Sequence, residues 1–437
     1  MATVAEVRLW GRRIAAVALE DGADVATFQY DPEFVGSGIE VSPIVMPLST
    51  RIYSFPALPR ESFHGLPGLL ADSLPDRFGN ALIDAWLATQ GRSPESFNAV
   101  ERLCYVGRRG MGALEYAPAT GPQWRRGKKL DVDALVKLAS EVLARRGELG
   151  GYFTPEGSYA ALADLLRVGT SAGGARAKAV IAWNPETNEV RSGQIDGLDG
   201  FEYWLLKFDG VSGNRDKDLE DPKGYTVIEY AYSRMARDAG IEMSECRLLE
   251  EGGRRHFMTR RFDRTRAGKK LHMQSLAALM HLDFNAARAH SYEQAFEAIR
   301  RLKLPASAIE QQFRRMVFNV VARNQDDHVK NIAFLMDQRG QWSLAPAFDV
   351  TYAYNPVGRW TSSHQMTING KSDDFTIEDF RACGATAGLK RGQAERILDE
   401  VIAVVSRWPE YAEEVGVRPD QREAIRATLR LTFPRGR

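Results

Sequence analysis

The chain has 437 residues, of which 44% are hydrophobic and 26% charged. It is too long for one ordinary core and too evenly composed for a disordered, collagenous or low-complexity protein, so two or three packed subdomains are expected. Its 58 basic residues nearly cancel its 57 acidic ones, so no global field drives it onto DNA or another polyanion.

From the N-terminus, Val4 to Leu9, Ile14 to Leu19 and Val25 to Tyr30 read as short alternating strands separated by Gly-Arg-Arg and Asp-Gly-Ala-Asp turns, which predicts a small antiparallel sheet. A helix is expected around Phe78 to Gln90, and another where Ser93 caps and Pro94 takes the first helical position. The segment Pro118 to Pro122 reads as a boundary. Leu135, Leu138, Ala139, Val142 and Leu143 then recur at helical spacing after Asp131, and a further helix, Tyr159 to Val168, leads into the glycine-rich stretch Gly169-Thr170-Ser171-Ala172-Gly173-Gly174-Ala175.

Strands are expected at Ala177 to Trp183 and Glu202 to Phe208, a helix from Thr226 to Ala239, and a hairpin pairing Cys246 to Leu249 with His256 to Phe262. Beyond Ser275 the pattern is mostly helical. One helix, with Phe313, Met316, Val317, Val320 and Val321 on one face, is expected to end at Asn324. The polar loop Gln325 to Asn331 follows, then strands Ile332 to Met336 and Trp342 to Ala347, then Asp349. No apolar run is long enough to span a bilayer, and Cys104, Cys246 and Cys383 are too few and too scattered for a disulfide framework or a zinc site. A reduced, cytoplasmic setting is the expectation.

Phosphoryl transfer from ATP needs a phosphate cradle, a cation on the phosphates, oxygen ligands for Mg2+, and a carboxylate that orients the attacking hydroxyl. Each has a candidate, in the order in which kinases carry them. The glycine stretch offers backbone N–H groups, Lys207 is a lysine on an otherwise apolar strand, and Glu229 on the next helix is its prospective ion-pair partner. Asp326 precedes Asn331 by five residues, the spacing of a kinase catalytic loop, and Asp349 follows two strands later as a hard oxygen ligand. Singly, each has a bland explanation: a flexible turn, an edge lysine, a solvated helix residue, a turn aspartate. Their joint order favours a kinase.

At Ser171-Ala-Gly-Gly-Ala-Arg-Ala-Lys178, Leu205-Leu-Lys207, Glu229-Tyr230, Arg261-Phe-Asp-Arg264, Asp326-x-His328-x-Lys330-Asn331 and Phe348-Asp349 the chain resembles the HipA family of bacterial kinases along nearly its whole length. The resemblance implies an α+β, bilobed protein-kinase-like fold. Its parts would be an N-terminal sheet domain over 1–120, an N-lobe-like region with glycine loop and hinge over 121–265, and a helical C-terminal lobe over 266–437. It implies Asp326 as catalytic base, Asn331 and Asp349 as magnesium ligands, and Glu229 as the ion-pair partner of Lys207. ATP would be met by Ser171, Ala172, Gly173, Gly174, Lys207, Lys330, His328 and the hinge strand Arg260 to Phe262. For His328, a loop-holding role and a chemical one both stay open.

The resemblance further implies a serine/threonine protein kinase toxin that phosphorylates a translation component, such as an aminoacyl-tRNA synthetase, and silences itself by phosphorylation at Ser171, with Thr170 adjacent. A small helix-turn-helix antitoxin of HipB type would neutralise it and provide its only route to DNA. Gly173, Arg176, Ala177 and Asp327 depart from the family pattern. They leave substrate choice open, and they make Asp327 a competitor for the catalytic role, although spacing favours Asp326. Two rival readings are a small-molecule phosphotransferase of aminoglycoside or choline kinase type, and a catalytically silent co-repressor. Phosphate transfer to a protein separates the first from a protein kinase, and ATP turnover excludes the second.

Overall fold

In a computed structural model of the protein, the described residues are 2–121, 129–144, 165, 168–169, 176–194, 198–211, 224–265 and 268–435. The N-terminal sheet forms as its alternation predicts. Strands β1 (Thr3–Leu9), β2 (Arg12–Leu19), β3 (Thr27–Tyr30) and β4 (Leu114–Ala117) pair antiparallel in the order β3-β2-β1-β4. Ala5, Val7 and Leu9 point into a core with Phe28, Tyr30, Phe34 and Leu70. Trp10 and Gly11 make the first turn with φ of 51° and 81°, the two left-handed residues that a tight hairpin requires to match strand twist.

Helix Arg77–Thr89 forms close to its expected bounds, but the capping expected at Ser93 does not start a helix. Pro94–Ser96 is a single 3-10 turn with no side-chain cap. The true start is Asn98, whose side chain accepts from Glu101 N while Glu101 accepts from Asn98 N, and it opens the helix Ala99–Val106. The reason is burial: Val100, Leu103 and Cys104 reach the core, whereas Ser93 to Ser96 are exposed. Two caps compete locally, and the one whose helix has an apolar face to bury wins.

The second sheet runs β6-β5-β7-β9-β8, all antiparallel, from β5 (Lys178–Trp183), β6 (Val190–Ser192), β7 (Glu202–Lys207), β8 (Cys246–Glu251) and β9 (Arg254–Arg260). Ala179, Ile181 and Leu206 share a core with Phe78 and Leu82 of helix Arg77–Thr89 and with Val132 and Leu135 of helix Val132–Ala144. Period-two alternation turns Lys178 and Lys207 to the other side, where helix Tyr225–Asp238 lies against β9. A helix of the N-terminal region thus packs into this sheet.

The C-terminal part is built around helices Tyr292–Arg301, Ala306–Val321, Ile377–Ala387 and Gln393–Val405, with Phe296, Phe313, Phe318 and Trp408 in one large core. Strands β10 (His272–Ser275), β11 (His290–Ser291), β12 (Ala333–Met336), β13 (Trp342–Leu344) and β14 (Met366–Thr367) supply a β10-β12-β13 sheet and a short parallel β11-β14 pair. The helix Ala306–Val321 stops three residues before Asn324, because Arg323 turns left-handed at φ 57°. Among the described residues no helix is long and apolar enough to cross a membrane. Cys104, Cys246 and Cys383 are buried free thiols.

The N-terminal region is fastened to this part as well. Asp72 accepts from Ser275 N at 2.6 Å and Ser275 Oγ at 2.9 Å, and Gly68 N donates to His281 Nε2 at 3.1 Å. Gly68 is required here: a Cβ would stand 2.4 Å from Ala278 O. Where the chain passes between the lobes, Asp263 accepts from Arg261 at 2.8 and 2.5 Å, from Arg264 at 2.8 Å and from Gly112 N at 2.7 Å. Burial alone would raise its pKa, but the two guanidinium groups and the Gly112 N–H outweigh it and hold the carboxyl well below the usual range. A carboxylate depressed in the folded state stabilises fully above its unfolded pKa of about 4 and loses that contribution on acidification below it. Asp263→Ala strands two buried guanidinium groups, so we expect a loss of about 3 to 5 kcal/mol in urea unfolding at neutral pH, with the gap to wild type narrowing as pH falls below about 4.

Candidate functional site

The site is assembled on one side of β5 and β7, at the ends away from the hinge: Lys207 pairs with Lys178 and Phe257, whereas Arg260 pairs with Trp204 toward the other end of β7. Lys207 closes β7, buried, with its Nζ donating to Glu229 Oε1 at 2.6 Å and to Asp349 Oδ1. Burial disfavours its charge, but the two carboxylates outweigh that and raise its pKa, so the ammonium is held charged. Glu229 comes from helix Tyr225–Asp238 and Asp349 from the turn after β13. Strand, helix and turn therefore meet at one cation. Asp349 has a φ of 52°, left-handed for a residue with a side chain. Its carboxyl would be raised by burial, yet the charges of Lys207 and Lys178 pull it far below the usual range.

The loop after helix Ala306–Val321 divides its two aspartates. Asp327 faces inward: Tyr292 Oη donates to it at 2.8 Å, Gln365 N at 2.8 Å, and His364 Nδ1 lies at 2.8 Å. Asn319 and Asn324 extend this network, Asn319 Nδ2 donating to Tyr292 Oη at 3.0 Å and Asn324 Nδ2 to Asn319 Oδ1 at 2.9 Å. Asp326 faces the other way, with its side chain 26% exposed against 1% for Asp327. Asn331 Nδ2 donates to Asp326 O at 2.9 Å, closing the loop and turning its amide oxygen away from that bond. His328 Nδ1 accepts from Lys330 N at 3.3 Å and its Nε2 stands 3.9 Å from Asp326 Oδ1, so its ring bonds within the loop. Lys330 Nζ lies 4.3 Å from the Phe284 ring centre.

The remaining expected residues are placed unequally. Phe262 packs on Phe348 at 5.4 Å, in a small cluster with Ala333, Leu335 and Ala345 beside the hinge. Arg260 points instead to Glu202 at 3.3 Å and Glu245 at 3.4 Å on the partly exposed surface. Thr170, Ser171, Ala172, Gly173 and Gly174 lie outside the described residues. Asn331 and Asp349 offer hard oxygens of the kind Mg2+ takes, a carboxylate and an amide carbonyl.

Two residues given no role from sequence stand in the same place. Lys178 pairs directly across the β5–β7 ladder from Lys207, and its Nζ lies 3.4 Å from Asp76 Oδ2. Burial lowers the Lys178 pKa against the pull of Asp76 and Asp349, and burial pushes the Asp76 carboxyl up to about 6 against the charge of Lys178 and the Gly79 N–H. A lysine in the apolar run Lys178–Trp183 was the available signal for the first. For Asp76 the sequence signals only a helix cap, because its partner comes from a different domain.

Two domain patterns match the chain: the HipA N-terminal domain over residues 5–117 and the HipA-like C-terminal domain over 170–408. Among curated proteins it is 27% identical over 198 residues to "Putative kinase Y4mE" of Sinorhizobium fredii, covering 42% of this chain and 47% of that one. It is 26% identical over 243 residues to a "Putative kinase" of Haemophilus influenzae, covering 48% and 69%. The chain thus spans about half the length of the first of these relatives. Among solved structures it is similar to HipA of Shewanella oneidensis, determined in a complex with HipB and operator DNA, with TM-score 0.65 and 16% identity over 97% of this chain and 94% of that one. With the C-terminal pattern alone spanning more than half of its length, the chain belongs to the HipA family and has that family's kinase-like fold.

Proposed function

We propose that the chain is an ATP-dependent serine/threonine protein kinase of the toxin type. The observation that carries this reading is the meeting of Lys207, Glu229 and Asp349 in one buried ion cluster, in the chain order and on the elements that phosphoryl transfer requires. Lys207 binds the phosphates. Asp326, turned away from the Asp327 network, orients the substrate hydroxyl and takes its proton. Asn331 Oδ1 and the Asp349 carboxylate hold Mg2+, which when bound neutralises the triphosphate charge. Phe262 and the hinge strand border the adenine, Lys330 and His328 flank the phosphates, and the glycine stretch from Ser171 to Gly174 contributes backbone N–H groups to binding them.

The substrate on this reading is a protein in the cytoplasm, a translation component such as an aminoacyl-tRNA synthetase. A small helix-turn-helix antitoxin of HipB type restrains the kinase and carries it to DNA, a partnership supported by the complex of the Shewanella relative. The chain's own near-neutral charge gives it no comparable route to DNA. Phosphorylation of Ser171 silences the enzyme, because it adds roughly −1.5 to −2 charges where the triphosphate must sit.

Wild type, Ser171→Ala and Asp326→Asn proteins are incubated with Mg-ATP and their intact and peptide masses taken. One phosphate on Ser171 in wild type alone, with ATP binding lost, is the expected result. An unmodified wild type, or a phosphorylated one that binds ATP normally, removes self-silencing.

A further inference from the structure

Like charges directly opposite each other in an antiparallel ladder are destabilising, yet Lys178 and Lys207 occupy such a pair. The arrangement persists because each has carboxylate company. Lys207 has Glu229 and Asp349; for Lys178, the carboxylate at its side comes from the N-terminal domain. Asp76 caps helix Arg77–Thr89, its Oδ1 accepting from Gly79 N at 2.6 Å. Capping needs one oxygen, and an asparagine or serine would provide it without charge. The second oxygen, Oδ2, is buried, has no aligned hydrogen bond, and stands 3.4 Å from Lys178 Nζ, the two side chains being 5% and 2% exposed. A buried charge beyond the needs of the cap calls for a reason. Its placement beside the Lys207 cluster supplies one.

We propose that Asp76 is a positioning residue for the nucleotide site: it holds the Lys178 side chain beside Lys207, so that two lysines meet the triphosphate and the site is incomplete without the N-terminal domain. This rests on the kinase reading. Asp76 touches neither nucleotide nor substrate and acts through Lys178. A purely structural ion pair would affect stability and leave nucleotide affinity alone, whereas a positioning residue weakens ground-state binding, raising KM for ATP more than it lowers kcat.

The test is a double-variant cycle in the full-length chain, made of wild type, Asp76→Asn, Lys178→Met and the pair together. Mg-ATP affinity is read by calorimetry, kcat and KM by phosphate transfer, and folding by thermal melting. Asparagine keeps the cap at Gly79. The paired variant leaves no stranded ammonium, so it folds even where Asp76→Asn is destabilised. We expect Asp76→Asn and Lys178→Met each to weaken Mg-ATP binding by roughly 10- to 100-fold, the scale of one charge-assisted hydrogen bond, and the pair to be no weaker than Lys178→Met alone. Unchanged affinity in a folded Asp76→Asn protein, or effects that multiply in the pair, overturns the proposal while leaving the kinase reading standing. A wild type that binds no Mg-ATP overturns both.

Discussion

Asp326→Asn is expected to fold and melt like wild type, to bind Mg-ATP, and to lose phosphoryl transfer by about 10²- to 10⁴-fold, the usual worth of a positioned general base. Its neighbour separates stability from chemistry. Asp327 accepts from Tyr292, His364 and Gln365 at 2.8 Å each. Burial would raise its pKa, but His364, the Tyr292 hydroxyl and the Gln365 N–H outweigh it and lower the carboxyl below its ordinary value. In Asp327→Asn one oxygen of this acceptor, each of whose oxygens already faces a donor, becomes a donor facing a donor, so a loss of about 2 to 4 kcal/mol in stability is expected. Transfer by the protein that remains folded should stay within roughly tenfold of wild type, because Asn331 still ties the loop to Asp326 O. Radiolabel transfer and thermal melting, run on both variants at a temperature below either transition, check this. A dead Asp327→Asn protein with an unshifted melting point, beside an active Asp326→Asn, would place the base one residue later.

The second large effect is expected at Asp349. Calorimetry on wild type should show ATP binding that strengthens by roughly 100-fold when Mg2+ is added, and Asp349→Asn should erase most of that increment while barely changing the weak metal-free affinity. The carboxylate holds Lys207 charged, and on the proposed reading it also offers oxygen to Mg2+. Asparagine keeps an oxygen but not the charge. Glu229 remains at 2.6 Å, so Lys207 keeps one partner and the cluster does not collapse. Equal Mg2+ enhancement in wild type and Asp349→Asn would falsify the metal role.

How far the sequence led depends on the distance over which each feature is decided. The first three strands follow from alternation within a few residues, and the Asp326 to Asn331 spacing lies within one loop, so both were legible. The meeting of Lys207 with Asp349 was legible only as an order of motifs. Ser93 and Asn98 show how a local cap signal misleads when the choice is made by burial elsewhere. Asp327 read as a departure from a family pattern, and its place in a network with Tyr292 and His364 depends on contacts across the whole C-terminal part. Arg260, carried over with the hinge strand, turns its charge outward to Glu202 and Glu245 because the pleat alternates.

The left-handed backbone at Asp349 narrows what the position tolerates. β-branched side chains crowd the backbone most there, glycine not at all, and aspartate and asparagine adopt it more readily than other residues. On the proposed reading, a lineage that abandoned catalysis, and so escaped selection for the carboxylate, would reach asparagine or glycine at this position before it reached valine or isoleucine. The informative replacements are the small ones, which report loss of chemistry in a fold left undisturbed.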